Sequence, residues 1–127
     1  MAAATPHAAD HQSLAELASR YVDVANLPWM PSKFPGIEIK VLMEDEASGL
    51  LTALFRWAPG SRLPLHEHVE IEQTYVLDGS IEDDEGEVTA GNFVWRPAGS
   101  RHEARSPNGA LILAFFLRPN HFLEGDA

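Results

Sequence analysis

Residues 59–80 read PGSRLPLHEHVEIEQTYVLDGS. His66 and His68 stand two apart, so on an extended strand both imidazoles leave the same face and can converge on one ion. Glu70 and Glu72 continue that parity, and either could add a carboxylate. On a straight strand rising about 3.3 Å per residue, Glu72 would lie about 20 Å from His66, far outside a shell of metal bonds near ~2 Å. Glu72 can therefore join the histidines only if the chain bends at Val69 to Ile71. A second stretch, GNFVWRPAGSRHEARS (91–106), sets a turn at Pro97 and Gly99 before a third histidine, His102, which a strand start would bring in from another side. Cysteine is absent, so disulfides, thiolate sites and Cys nucleophiles are excluded, and a metal would have only His, Asp or Glu as ligands. Three imidazoles and one carboxylate suit iron(II), manganese, nickel, copper or zinc, and on an octahedral ion they leave two positions free.

Outward from these stretches, residues 36–118 read as short strands: IEIKVLM, LLTALFRW, LPLHEH, EQTYVL, SIED, EVTA, FVWRP, HEARS and ALILAFFL. They are rich in β-branched and aromatic residues, often alternate at period two, and are separated by Gly, Pro and Asn turn signals, Asp78-Gly79 among them. The pattern predicts an all-β sandwich or barrel. Asn108-Gly109 predicts a type I′ hairpin joining HEARS to ALILAFFL. ALILAFFL is apolar on both faces, which predicts that a second subunit covers one of them and that the protein is a homodimer. Ser13 and Glu16 resemble a capping box, with Leu14, Leu17, Ala18 and Tyr21 at helical spacing, so a short helix is expected over 13–20. LPWMPSKFPG, with three prolines, reads as an irregular connector. The domain reading is thus an N-terminal extension over 1–35, its first residues a flexible tail, and one β-barrel over 36–127.

Composition narrows the functional classes. The 127 residues carry 9 Lys and Arg against 19 Asp and Glu, a net charge of −10, which offers no footprint for phosphate backbones or anionic membranes. No apolar run approaches the ~20 residues of a membrane span, and MAAATPHAAD lacks a secretory signal pattern, so the cytoplasm is the expected location. EDDEGE (82–87) lacks calcium-loop spacing and reads as a solvated acidic hairpin. Glu70 stands where an HExxH zinc protease would need its second His, and no phosphate loop or nucleophile elbow is present.

Residue by residue, the two stretches resemble the motifs of the cupin superfamily. The first motif, Gly-x5-His-x-His-x3-Glu-x6-Gly, is met by Gly60, His66, His68, Glu72 and Gly79, and the second, Gly-x5-Pro-x-Gly-x2-His, by Gly91, Pro97, Gly99 and His102. Ser106 stands where that motif usually has Asn, a position that is not a ligand. The resemblance implies a double-stranded β-helix, or jelly-roll barrel, with His66, His68, Glu72 and His102 around one divalent ion, and it selects Glu72 over Glu70. Residues 21–120 further resemble the branch that holds the cupin domain of zinc-binding ChrR-like anti-sigma factors and the acetylacetone-cleaving and dihydroxyacetophenone dioxygenases. The acetylacetone-cleaving enzymes hold iron with three His and no Glu, so Glu72 departs from them.

What the resemblance implies first is a non-haem iron(II) dioxygenase of a small carbonyl compound such as a β-diketone, with that molecule and oxygen as partners and the four ligands as the catalytic set. A non-enzymatic zinc or small-ligand sensor is the rival. The anti-sigma relatives carry a separate helical domain, whereas at most about 35 residues precede this barrel, which favours the enzyme. A sugar isomerase or lyase with Glu72 or a His as base is the third reading. His7, His11 and His121 are expected to be structural or exposed. Phe55, Trp57, Tyr75, Trp95 and Phe115 are expected in core or interface. Arg56, Arg96 and Arg101 are equal candidates to clamp a carboxylate, an Arg on a strand more often pairing with an outer-face acid.

Overall fold

The computed structural model describes residues 3–123. Its strands are β1 (Ala3–Ala4), β2 (Met30–Pro31), β3 (Ile37–Asp45), β4 (Leu50–Trp57), β5 (Ser61–Glu67), β6 (Glu72–Glu82), β7 (Glu87–Thr89), β8 (Phe93–Arg96), β9 (Arg101–Ser106), β10 (Ala110–Phe116) and β11 (His121–Phe122). All pairings are antiparallel. The hydrogen-bonded order is β1-β3-β4-β10-β6-β9-β5-β11, with β2 on β3 and β7 and β8 on β6. The long strand β6 belongs to both walls. Residues 72–79 pair with β10, and 80–82 with β7 and β9, so the sheet curls about β6 into an all-β jelly-roll barrel of one domain.

Between the walls lies an apolar core of Phe34, Ile37, Trp57, Val76, Ile81, Val88, Ala104, Ala110 and Ile112. Val76 and Ile112 face each other across β6 and β10, and burying side chains of this size contributes roughly 1.5–3 kcal/mol each. Alternation is clean on β10, where Ala110, Ile112, Ala114 and Phe116 are buried while Leu111 and Leu113 are half-covered and Phe115 is exposed. Trp57 is core and Phe55 packs against it, but Tyr75, Trp95 and Phe115 point outward. Among the described residues no helix is long and apolar enough to cross a membrane.

Three local expectations are corrected. Residues 13–20 form no α-helix; a 3-10 helix spans Ala9–Ser13 instead, and Leu17 and Tyr21 are almost fully exposed. A helix of two turns is marginal alone, and no apolar surface receives its stripe. Asn108-Gly109 does turn the chain, but β9 and β10 are not paired with each other. β9 lies on β5 and β10 lies between β4 and β6, so the turn carries the chain from one wall to the other. Only Gly109 has positive φ, which rules out type I′. Asp78-Gly79 is not a strand end either. It lies within β6 just after a bulge at Leu77, with Gly79 paired to Ala110; Gly79 adopts φ +73° and a Cβ would meet the Gly109 carbonyl oxygen at 2.0 Å.

The residues before the barrel lie along its β3 edge. Ala3–Ala4 and Met30–Pro31 pair with β3, Thr5 Oγ1 donates to the Leu42 carbonyl at 2.7 Å, and the buried Lys40 Nζ donates to the Val24 carbonyl at 2.8 Å. These contacts blunt what would be a free sheet edge.

Candidate metal centre

The site begins with a bulge. Leu63 pairs with Ala104 and His66 with His102, so β5 spends three residues where β9 spends two. Pro64, which has no N–H to give a ladder, sits in the excess, and its carbonyl accepts from His66 Nδ1 at 2.7 Å. The bulge lets Leu63 and His66, at odd spacing, share the inner face, and it sets His66 directly opposite His102.

His68 lies just past β5 and is held by the Pro97–Ser100 turn. Its N–H donates to the Ser100 carbonyl at 2.9 Å and its carbonyl accepts from the Gly99 N–H at 2.7 Å. The chain then bends at Val69 and Glu70, and Glu72 opens β6 in the opposite wall. Glu70 is exposed; the carboxylate that reaches the histidines is that of Glu72.

The three rings form a near-equilateral triangle, with centroids 4.9 Å apart for His66 and His68, 4.6 Å for His66 and His102, and 4.8 Å for His68 and His102. One ring nitrogen from each lies within 4.8 Å of the others, and His66 and His68 are fully buried. His7, His11 and His121 stand apart from this group.

Hydrogen bonds fix the tautomers. His66 Nδ1 faces the Pro64 carbonyl. His102 Nδ1 faces Asp83 Oδ2 at 2.7 Å. His68 Nδ1 lies 3.0 Å from both the Ser100 carbonyl and Ser100 Oγ, whose own proton goes to the Pro97 carbonyl at 2.6 Å. Every partner is an acceptor, so each Nδ1 carries the proton and each Nε2 presents a lone pair. Burial pushes the His66 imidazole down to about 4, against the bond to Pro64. Burial also lowers His102, against the opposing bond to Asp83. Neutral rings at neutral pH are the form that binds metal.

His68 Nε2 is buried and has no hydrogen-bond partner among the described residues, yet it lies 3.2 Å from Glu72 Oε1. A lone pair set against a carboxylate is unfavourable unless a cation lies between them. Two cis ligands bonded at about 2.1 Å stand about 3.0 Å apart, close to this separation. The other Glu72 oxygen, Oε2, accepts from the buried Thr74 hydroxyl at 2.8 Å. The three His could therefore hold a metal ion, and Glu72 fits as a fourth donor.

Asp83 corrects the reading of EDDEGE as a solvated hairpin. Asp84, Glu85 and Glu87 are exposed, but Asp83 is buried and saturated: Oδ1 accepts from the Glu85 and Gly86 N–H groups, and Oδ2 from His102 Nδ1 and from Arg96 Nη1 at 2.8 Å. Its burial would raise the carboxyl, yet these bonds hold it below the usual value. The Asp-x-x-Gly turn that Oδ1 caps is a signal the sequence did contain. Phe122 is a second residue not foreseen, its ring 5.2 Å from that of His66.

A space of about 30 Å³ lies beside His66, Glu72 and His102, walled by Trp57, Ile81, Val88, Val94, Arg96, Ala104 and Ile112. A cleft of about 550 Å³ shares Val88, Val94 and Arg96 with it and is also lined by Asp83, Phe93, Trp95 and Ser100. Arg56 and Arg101, by contrast, pair on the outside with Glu38 and Glu67.

Barrel and histidine cluster together define a cupin with a potential metal site. The ChrR cupin-like domain family matches residues 17–120, and the chain belongs to that family. Its fold is also that of a putative acetylacetone dioxygenase from Methylibium petroleiphilum PM1, with 24% identity, TM-score 0.77, and 89% of this chain and 86% of that one covered. An acetylacetone dioxygenase from Acinetobacter johnsonii is similar at 22% identity and TM-score 0.75, over 88% and 83% of the two chains. The anti-sigma ChrR complex with SigE from Rhodobacter sphaeroides is similar at 20% identity and TM-score 0.63, over 73% of this chain and 50% of that one. Among curated proteins nothing matches.

Proposed function

We propose that the chain is a mononuclear iron(II) dioxygenase that cleaves a small carbonyl compound such as a β-diketone, with His66, His68, Glu72 and His102 as metal ligands. The observation that carries the metal is the buried, unpartnered His68 Nε2 set 3.2 Å from a carboxylate oxygen. When bound, iron(II) supplies Lewis acidity to a carbonyl or enolate oxygen and electrons to oxygen. Pro64, Ser100 and Asp83 hold each Nδ1 proton and so aim the three Nε2 lone pairs. Trp57, Ile81, Val88, Val94 and Ile112 give the space an apolar wall. At about 30 Å³ that space is far too small for the substrate itself. Substrate therefore enters through the larger cleft, past Arg96.

The similarity to acetylacetone dioxygenases supports the choice of substrate class, and the match to the ChrR cupin-like domain family supports a zinc-binding sensor as the second reading. Zinc accepts the same ligands but has no redox chemistry. The iron(II) form should consume oxygen with 2,4-pentanedione or a related enolisable dicarbonyl, and the zinc form should not. No uptake with any dicarbonyl or hydroxyketone, together with zinc that co-purifies, would replace the dioxygenase by the sensor.

The reading includes a homodimer through the outer face of the β8-β6-β10 wall. Phe93 and Tyr75 are register partners there, Trp95 and Gln73 are the next pair, and Phe115 lies opposite Gln73. Tyr75, Phe93, Trp95 and Phe115 are each 39% or more exposed, an apolar patch of the kind that a second subunit covers.

A further inference from the structure

Arg56, Arg62, Arg101 and Arg105 pair with acids on the outer surface, and their side chains are 39–60% exposed. Arg96 differs. It shares the inner face of β8 with Val94, its side chain is only 14% exposed, and it lines both the small space beside the histidines and the larger cleft. Its register partner on β6 is Glu72, yet its ion pair is with Asp83. Glu72 keeps its charge for the histidine cluster. Among the described residues the Arg96 guanidinium makes one hydrogen bond, from Nη1 to Asp83, although it has five N–H donors in a planar fork. Arg96 lines both spaces, and its other donors have no acceptor among the described residues. Trp57, whose buried indole N–H has no acceptor among the described residues, lines the same small space.

Unused donors around a largely buried junction call for an acceptor-rich ligand, and a guanidinium fork matches a carboxylate. The local charge agrees. Asp83 and Arg96 cancel and the neutral imidazoles add nothing, so a divalent ion with Glu72 leaves one positive charge for a monoanion to neutralise. Glu85 and Glu87 also line the cleft, but they are exposed and screened, whereas the Arg96 fork is sheltered.

We infer that Arg96 is a specificity-determining residue that receives a carboxylate borne by the carbonyl substrate. This rests on the metal reading above and refines it: among dicarbonyls, one that carries a carboxylate is preferred over a neutral diketone. The cleft, at about 550 Å³, is within the size range of small-ligand pockets.

The test compares two probes that differ by one carboxylate, 2,4-dioxopentanoate and 2,4-pentanedione. Their binding is measured by calorimetry on the nickel(II)-loaded and the metal-free protein, so turnover plays no part. Wild type should prefer dioxopentanoate about tenfold or more, as expected for one charge-assisted hydrogen-bonded pair. Arg96→Gln should abolish the preference while nickel stoichiometry is kept, any change in pentanedione affinity being much smaller than the loss for dioxopentanoate. Arg96→Lys, which keeps the charge without the fork, should retain part of it and serves as the deciding variant if Arg96→Gln does not fold. Equal affinities in wild type, a preference that survives Arg96→Gln, or an equal loss of both probes would overturn the assignment, the last by showing a merely structural role. The Arg96 contact needs no metal, so the metal-free protein should keep part of the preference, reduced by the then uncompensated charge of Glu72. Failure to take up nickel or zinc would sink the metal reading alone. The charge preference of the metal-free protein would then decide Arg96, and its absence there would overturn the subsite.

Discussion

At the residue scale, the ring of acceptors behind the histidines makes predictions that the ligands alone do not. Asp83→Asn keeps an oxygen for the loop N–H groups but removes the charge that orients His102 and offsets Arg96. Metal affinity, measured by competition with a chelator, should fall about 10–100-fold. Asp84→Asn, one residue away and 95% exposed, should leave it unchanged. Glu72→Gln should weaken metal binding, whereas exposed Glu70→Gln should not. The sign of the pH dependence follows from His66. Its folded value is depressed to about 4, so below its unfolded value near 6.5 the unfolded chain takes up a proton that the native state refuses. The metal-free protein should therefore lose about 3 kcal/mol between pH 7 and pH 4 from this residue. Urea titrations of wild type and His66→Gln at both pH values check it: the variant should lose less by that amount, and equal losses would contradict the assignment. The ligand types were legible in the spacing of His66, His68 and His102. Asp83 was legible only as the start of an Asp-x-x-Gly turn; its burial was not, because its partners Arg96 and His102 come from elsewhere in the chain.

Strands were legible at the scale of elements because half-buried strands must alternate. LLTALFRW, for example, is β4 residue for residue. Pairing was less legible, because turn chemistry is local and the choice of wall is not. Gly109 takes positive φ as Asn108-Gly109 suggests, but the chain leaves the turn for the other wall. The capping signature at Ser13 failed for the complementary reason: no apolar surface receives the Leu14, Leu17 and Tyr21 stripe, and two of those residues are almost wholly exposed. Gly79 was read as a turn but lies inside β6 paired with Ala110, where the Gly109 backbone leaves no room for a Cβ, which makes it the most demanding glycine of the barrel. Gly79→Ala would press a Cβ against the Gly109 backbone and should cost more than about 2 kcal/mol, whereas Gly60→Ala, also at positive φ but with nothing within 4 Å, should cost about 1 kcal/mol. Denaturant midpoints of the two variants measure the difference.

For the whole molecule, the barrel and the centre make separable claims. The core is apolar and independent of the ion, so His66→Ala, His68→Ala and His102→Ala should each keep the β spectrum of wild type while losing bound metal. The outer aromatic face predicts a dimer by sedimentation at micromolar concentration and a monomer for Trp95→Glu, whose side chain is 56% exposed in the single chain. A wild-type mass of one chain would contradict this. The central claim is the four-ligand centre, and metal analysis of protein purified without added metal, followed by titration with iron(II) and zinc(II), tests it most directly. One divalent ion per chain in wild type, with stoichiometric binding lost in each histidine variant, is the predicted result. No ion at any concentration short of precipitation, or an ion held as tightly after His102→Ala, would contradict it.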